Sequence, residues 1–298
     1  MTALRAAGDA EGAERGGGPQ GGALGQDDGS AAAAVSGKGT TGAVGSPAPP
    51  AGPGPEPGPP AEVELLHVTR VRLVETAGFE LSPRQRAEMD RVWDRAVRAN
   101  PALFDGPAVA LTGLERAGHD ELVLSWARAT YRHRALRQVP GAPACASLFV
   151  SVLQPADDGS VLVGRMSPTT AAPGRWQLPG GTIEPPCAEG ALGLADLREH
   201  AARELAEETG SGIQAADLAH WLITRGTQGN VGVFFLAPPR PARELRARYA
   251  TLAEAETARG VDPEFDRIAL IGSPADLMDL EGPHVDFLRP VVHRYIAG

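Results

Sequence analysis

Two stretches, Trp176-Gln177-Leu178-Pro179-Gly180-Gly181-Thr182-Ile183-Glu184 and Arg203-Glu204-Leu205-Ala206-Glu207-Glu208-Thr209-Gly210, decide how this chain is read. The glycine pair in the first permits backbone geometry that other residues resist. The second ends a helix expected over Leu194–Thr209, with Gly210 as its left-handed cap. At 100° per residue, Glu204, Glu207 and Glu208 fall within about a third of the helix circumference. Like charges at these spacings repel, and a helix built only for solubility would more often alternate signs. A divalent cation resolves the conflict, because clustered hard oxygen donors suit Mg2+. The glycine turn can bring a backbone carbonyl to the same ion.

Working outward, Glu62–Leu73 alternates in part and predicts a strand, and Ser82-Pro83 opens a helix over Arg84–Ala99 with Met89, Val92, Trp93 and Val97 inward. Pro107–Leu114 and Glu121–Tyr131 predict strands joined near Gly118-His119-Asp120. Ala146–Gln154 and Ser160–Met166 predict a hairpin about Asp157-Asp158-Gly159. Strands near Ala219–Arg225, Asn230–Leu236 and Arg267–Ile271 follow, with helices at Pro241–Tyr249, Pro274–Leu280 and Val285–Ile296. Mixing of helices and strands without steady alternation indicates an α+β sandwich.

Residues 1–60 hold 16 of the 37 glycines and 9 of the 27 prolines, and no aromatic residue. Such a stretch cannot bury enough surface to offset its ordering entropy, so residues 1–61 are expected to be a disordered tail. Residues 62–140 are then expected to form a small N-terminal α/β lobe, and 141–298 the main domain. A net charge of −9 argues against a nucleic-acid or anionic-membrane coat. Two cysteines are too few for a disulfide scaffold or zinc ribbon, and no apolar run spans a bilayer. The expectation is a soluble, cytoplasmic protein with no nucleic-acid and no membrane partner; a homodimer is compatible.

The glycine turn and glutamate helix together resemble the Nudix box, Gly-x5-Glu-x7-Arg-Glu-U-x-Glu-Glu-x-Gly-U, where U is bulky and apolar. Arg203–Gly210 matches every specified position of its second half. Departures lie elsewhere. Cys187 stands where the first glutamate belongs, Ser211 occupies the closing U position, and Gly181 lies 22 residues before Arg203, eight more than the pattern. An insertion therefore enlarges the loop, and Glu184 or Glu189 could supply the displaced carboxylate. The resemblance implies a Nudix-type α/β/α sandwich with a mixed sheet, and hydrolysis of a diphosphate linked to another group using Mg2+ or Mn2+. It also implies Glu207 and Glu208 as metal ligands, Glu204 as ligand or base, the Gly181 carbonyl as a further ligand, and Arg203 orienting a carboxylate. Glu254 or Glu256 could supply the base from a late loop. His200, one turn before Glu204, could approach the metal or be a buried structural histidine, while Cys187 reads as an incidental thiol.

Leu81-Ser82-Pro83, Trp93, Asn100–Pro107 and Thr130-Tyr131-Arg132 look like the N-terminal lobe of Nudix UDP-glucose diphosphatases. That likeness implies a UDP-sugar substrate, such as UDP-glucose, giving UMP and sugar 1-phosphate. ADP-ribose, a dinucleotide or an isoprenoid diphosphate is the alternative, as is a Nudix-fold sensor that binds a nucleotide sugar without cleaving it. The candidate substrate contacts are Arg165 and Arg175 flanking the box, Tyr131 for base stacking, and Arg132 with Arg134 and Arg137 for phosphate.

Overall fold

The computed structural model describes residues 62–143, 145–186 and 190–298; the expected tail, Cys187 and Glu189 lie outside the described residues. In chain order the strands are β1 (Glu64–Leu66), β2 (Arg70–Glu75), β3 (Pro107–Arg116), β4 (Glu121–Thr130), β5 (Ala146–Leu153), β6 (Val161–Met166), β7 (Trp176–Gln177), β8 (Ala219–Arg225), β9 (Val231–Leu236) and β10 (Phe265–Ile271). The helices are α1 (Pro83–Ala99), α2 (Leu194–Thr209), α3 (Ala242–Ala258), α4 (Pro274–Met278) and α5 (Leu288–Ile296).

A capping box starts α1. Ser82 Oγ accepts the Gln85 N–H at 3.3 Å, and Gln85 Oε1 accepts the Ser82 N–H at 2.9 Å. These bonds satisfy donors that a helix start leaves open, and Pro83 presets the first φ. Met89 and Val92 of α1 then pack with Ala135 and Leu136 of a 3₁₀ helix, Tyr131–Gln138.

Seven strands form one mixed sheet in the order β1-β8-β9-β5-β3-β4-β2, and β10-β6-β7 form a second. Strand pairs β5/β9 and β2/β4 are parallel. Only His67, Val68 and Thr69 separate β1 from β2, yet these two strands hold opposite edges of the large sheet. Six strand spacings would put those edges about 29 Å apart in a flat sheet, whereas four Cα steps reach about 14 Å at most. The sheet is therefore strongly curled. Val109, Leu122, Trp126, Val150 and Val233 pack in one cluster with Leu197, Ala201 and Leu205 of α2. Leu222 and Phe234, on the alternate face, join Val161, Trp176, Ile271, Leu288 and Val291 in a second.

The expected α+β sandwich with a mixed sheet is thus present, with three local corrections. The single strand expected over 62–73 is two strands at distant sheet positions. The Asp157-Asp158-Gly159 turn forms, with Gly159 at φ 85 and Ala156 N–H donating to the Ser160 carbonyl at 2.7 Å, but β5 and β6 then part into different sheets. The ladder positions of β5 are already taken, by β9 on one side and by Pro179–Ile183 on the other. Finally, the helix expected over Pro241–Tyr249 continues to Ala258 because the Ala-, Glu- and Leu-rich stretch after Tyr249 contains no breaker before Gly260. Glu254 and Glu256 consequently lie on α3 and not in a loop.

Candidate active site

The segment after β7 is a strand in all but length. Val152 N–H donates to the Pro179 carbonyl (2.8 Å), Val150 N–H to the Gly181 carbonyl (3.0 Å), and Ile183 N–H to the Leu148 carbonyl (3.2 Å). At the end of the segment, where β3 takes over beside β5, Val109 N–H of β3 donates to the Ile183 carbonyl at 2.8 Å. The glycine turn is thus held along β5, and the end of its segment is anchored to β3. Gly180 has φ 153, and a Cβ there would stand 2.2 Å from the Val150 carbonyl oxygen. A Cβ on Gly181 would come within 2.7 Å of the Glu204 carboxyl carbon. Both glycines are therefore required by close approach.

Helix α2 delivers the acids. Its N-terminus is closed by Asp196, whose carboxylate accepts the Gly193 N–H at 2.7 Å, and its C-terminus by Gly210 at φ 71. A Cβ on Gly210 would meet the Arg248 carbonyl oxygen at 2.7 Å, so the cap also lets α3 approach. Carboxylates in a last helical turn oppose the helix dipole, so Glu207 and Glu208 do not serve the helix itself. Glu208 is 1 % exposed and accepts the Gly180 N–H through Oε2 at 2.7 Å, while its Oε1 has no hydrogen-bond partner. Burial, with the charges of Glu264, Glu204 and Glu207, pushes its pKa well above the usual carboxylate range.

Glu204 lies at 2.9 Å from Nε2 of His200. Burial raises its pKa, but the close contact with His200, with the charge of Arg203, outweighs that and leaves it below the ordinary value. Arg203 Nη2 in turn donates to His200 Nδ1 at 2.5 Å. Since a guanidinium has no acceptor, this contact leaves the imidazole proton on Nε2, facing Glu204. Arg203, expected to orient a carboxylate, contacts the histidine that lies against Glu204.

Two more acids join the group. The Glu264 carboxyl, in the loop before β10, is pushed up to about 7 by loss of water and by the charges of Glu204, Glu207 and Glu256. Glu256, on the last turn of α3, is raised by burial and by Glu207 against the opposing Arg259, and its Oε2 has no hydrogen-bond partner. Sequence reasoning missed Glu264, which carries no local signal: it is one acid in a loop, brought to the cluster by β10 pairing with β6.

The substrate candidates separate. Arg165 is held by Asp266 in a two-pronged ion pair at 2.8 and 2.9 Å. Arg132 faces Asp90 and Asp105, both at 3.2 Å. Each thus has its charge matched within the protein. Arg175 is exposed. Tyr131 bonds to the Thr182 hydroxyl at 3.2 Å, beside the glycine turn.

Among the described residues no three His, Cys, Asp or Glu side chains are grouped to hold a metal ion as they stand. Glu204 is turned to His200 and Glu208 to the Gly180 N–H, and the Gly181 carbonyl accepts from Val150. The donor chemistry nevertheless fits a hard cation. Acids on three elements repel one another, two of their buried oxygens lack partners, and a carbonyl retains a second lone pair.

Residues 148–295 match the NUDIX domain. The fold and the box on α2 agree with that match, which is consistent with phosphoanhydride hydrolysis in general. Residues 148–295 thus belong to the Nudix family. No curated protein matches it. Similar solved structures include the MutT protein of Methanosarcina mazei Go1, at 22 % identity over 50 % of this chain and 92 % of that one, with a TM-score of 0.33. Shewanella oneidensis NrtR complexed with a 27mer DNA is 20 % identical over 50 % of this chain and 59 % of that one, with a TM-score of 0.34. The NUDIX domain of the same protein, complexed with ADP ribose, is 18 % identical over 50 % and 86 % of the two chains, with a TM-score of 0.32.

The DNA complex corrects one expectation. Exclusion of nucleic acid on net charge does not stand, since a similar chain is solved on DNA. Net charge is an average over the surface, and binding depends on local charge. Among the described residues no helix is long and apolar enough to cross a membrane.

Proposed function

We propose that the protein hydrolyses a nucleoside diphosphate linked to another group, with the end of α2 and the Gly180-Gly181 turn as the working surface. The observation that carries this reading is Glu208, a carboxylate buried with one oxygen unpartnered and surrounded by like charge. That arrangement costs stability and makes sense where a ligand supplies the missing positive charge.

Glu204, Glu207 and Glu208, with the Gly181 carbonyl, would hold a divalent cation, Mg2+ or Mn2+. When bound, such an ion neutralises diphosphate charge and lowers the pKa of a bound water. The chain's own residues do the rest. Arg203 fixes the His200 ring, and His200 holds Glu204 against the turn. Gly180 N–H anchors Glu208. Glu256 and Glu264 are the carboxyls we assign to receive the proton of the attacking water, and Arg175 is free of the ion pair that occupies Arg165.

Two substrate readings follow from different observations. A UDP-sugar is supported by the sequence likeness of residues 81–132. ADP-ribose is supported by the NrtR NUDIX domain complex with that ligand, and dinucleotides share its chemistry. Incubation with Mg2+ and UDP-glucose, ADP-ribose or NADH, followed by analysis for UMP, AMP or NMNH, decides between them. Cleavage of none of these, with saturable binding of one, would replace the hydrolase by a sensor.

A further inference from the structure

On the side of the glycine segment away from the acids, Thr182 points to Tyr131 and Arg134. The Arg134 guanidinium lies 4.3 Å from the centre of the Tyr131 ring and donates through Nη2 to Thr182 Oγ1 at 2.9 Å. One turn along the same 3₁₀ helix, Arg137 donates to the Cys145 carbonyl at 3.0 Å, to Gln228 Oε1 at 3.1 Å and to Asn230 Oδ1. Every one of these acceptors is neutral. They satisfy N–H groups and leave both charges uncompensated. Loss of water and the Arg134 charge hold the Arg137 guanidinium below its ordinary range.

Neighbouring arginines are treated differently. Arg132 faces two aspartates, Arg128 pairs with Glu75 at 2.8 Å, and Arg165 with Asp266. Among the described residues neither Arg134 nor Arg137 forms an ion pair with a carboxylate. Two adjacent guanidinium groups, one resting on an aromatic ring and one locked by three acceptors, are pre-organised donors for an oxyanion. We infer that Arg134 and Arg137, with Tyr131 and Thr182, form a subsite for a phosphate group. This site lies across the Pro179–Ile183 segment from the carboxylates, and its occupant is either the far phosphate of a nucleotide or a free phosphate compound.

The test uses the full chain in chelator, so hydrolysis plays no part and the subsite stands or falls apart from the hydrolase reading. Phenylglyoxal modification of arginines is mapped by peptide mass spectrometry with inorganic phosphate, inorganic diphosphate, UDP-glucose, ADP-ribose or duplex DNA. Modification of Arg134 and Arg137 is expected to slow by about fivefold or more with at least one small anion, while the exposed Arg116 is unaffected. Protection by inorganic phosphate identifies a free phosphate compound as occupant; protection by the nucleotides alone identifies their own phosphate. Calorimetric titration with the protecting anion is expected to show affinity falling about tenfold or more in Arg134→Gln, the scale of a lost charge-assisted hydrogen bond. Arg134→Lys, which keeps the charge without the fork, should fall between. Equal modification rates with and without every small anion would overturn the inference, as would unchanged affinity in Arg134→Gln. Protection by DNA alone would also overturn it, in favour of a nucleic-acid surface. The modification experiment uses the native protein and does not depend on any variant folding.

Discussion

On one side of Pro179–Ile183 stand Glu204 and Glu208, in an acid group where burial, and then mutual repulsion, raises Glu208 and Glu264. On the other stand Arg134 and Arg137, where loss of water, and then the Arg134 charge, lowers Arg137. Successive residues of an extended segment face opposite ways, so Gly181 meets the acids and Thr182 meets the arginines. The protein keeps unmatched charge on both sides of one short segment while matching most charges around it, as at Arg132 and Arg165. Charges left unmatched near a turn held this firmly are better explained by ligands than by folding, which they oppose.

The sharpest way to break this contrast is to neutralise one acid. Glu208→Gln is expected to lower turnover by about a hundredfold or more, the scale of a group acting in the transition state. The same change should leave the melting temperature equal or higher, because it removes a buried unpaired charge. A large fall in Tm with activity retained would reverse the assignment. Next, Gly181→Ala should cost most of the activity, since its methyl would sit 2.7 Å from the Glu204 carboxyl carbon; a crystal structure with Glu204 unmoved and normal kinetics would contradict this.

Adding Mg2+ near neutral pH should raise Tm, by about 2.7 kcal/mol of stability when the ion is at a hundred times its Kd. The gain should vanish in Glu208→Gln, as scanning calorimetry would show. His200→Ala is expected to lower turnover by about ten- to a hundredfold, as for groups that orient a ligand, with His200→Gln recovering part of it.

The smallest effect separates the two sides by pH. A carboxyl raised in the folded state, as Glu264 is to about 7, adds stability that is complete below its unfolded pKa and lost as pH rises through 7. His133, in the 3₁₀ helix, runs the other way. Burial pushes it down, and its Nδ1 accepts the Thr130 N–H at 3.1 Å, which a protonated nitrogen cannot do. Its contribution is complete above the unfolded histidine pKa and lost as pH falls toward the folded one. Melting curves from pH 8 to 5 should therefore lose their acid-side gain in Glu264→Gln and their acid-side loss in His133→Gln.

Local signals in the sequence are enough for α1, whose cap is written in Ser82-Pro83, and for α2, whose end is written in Gly210. They are enough also for the acids on α2, because a helix face follows from spacing. They fail where sheet geometry decides. Nothing in Ala146–Met166 says that β5 has both flanks occupied, and nothing in Glu62–Leu73 says that a curled sheet splits it. Glu264 was invisible for the same reason, since its place depends on β10 finding β6. The arginines were visible, but not which of them had lost a counter-charge: Arg132 and Arg134 are two letters apart, and only the fold distinguishes them.

The hydrogen bond from Val109 to Ile183 ties the chemistry to a strand that precedes the family's matched span, 148–295. Excising that span as a stand-alone fragment would remove the donor that the Ile183 carbonyl accepts, while the bonds of Pro179, Gly181 and Ile183 to β5 would stay. Amide exchange at Gly181 and Ile183, whose N–H groups bond β5, would then report how far that anchor keeps the segment in place. A graft of the box onto another scaffold would have to supply that donor as well, so the upstream region is the tether for the far end of the segment.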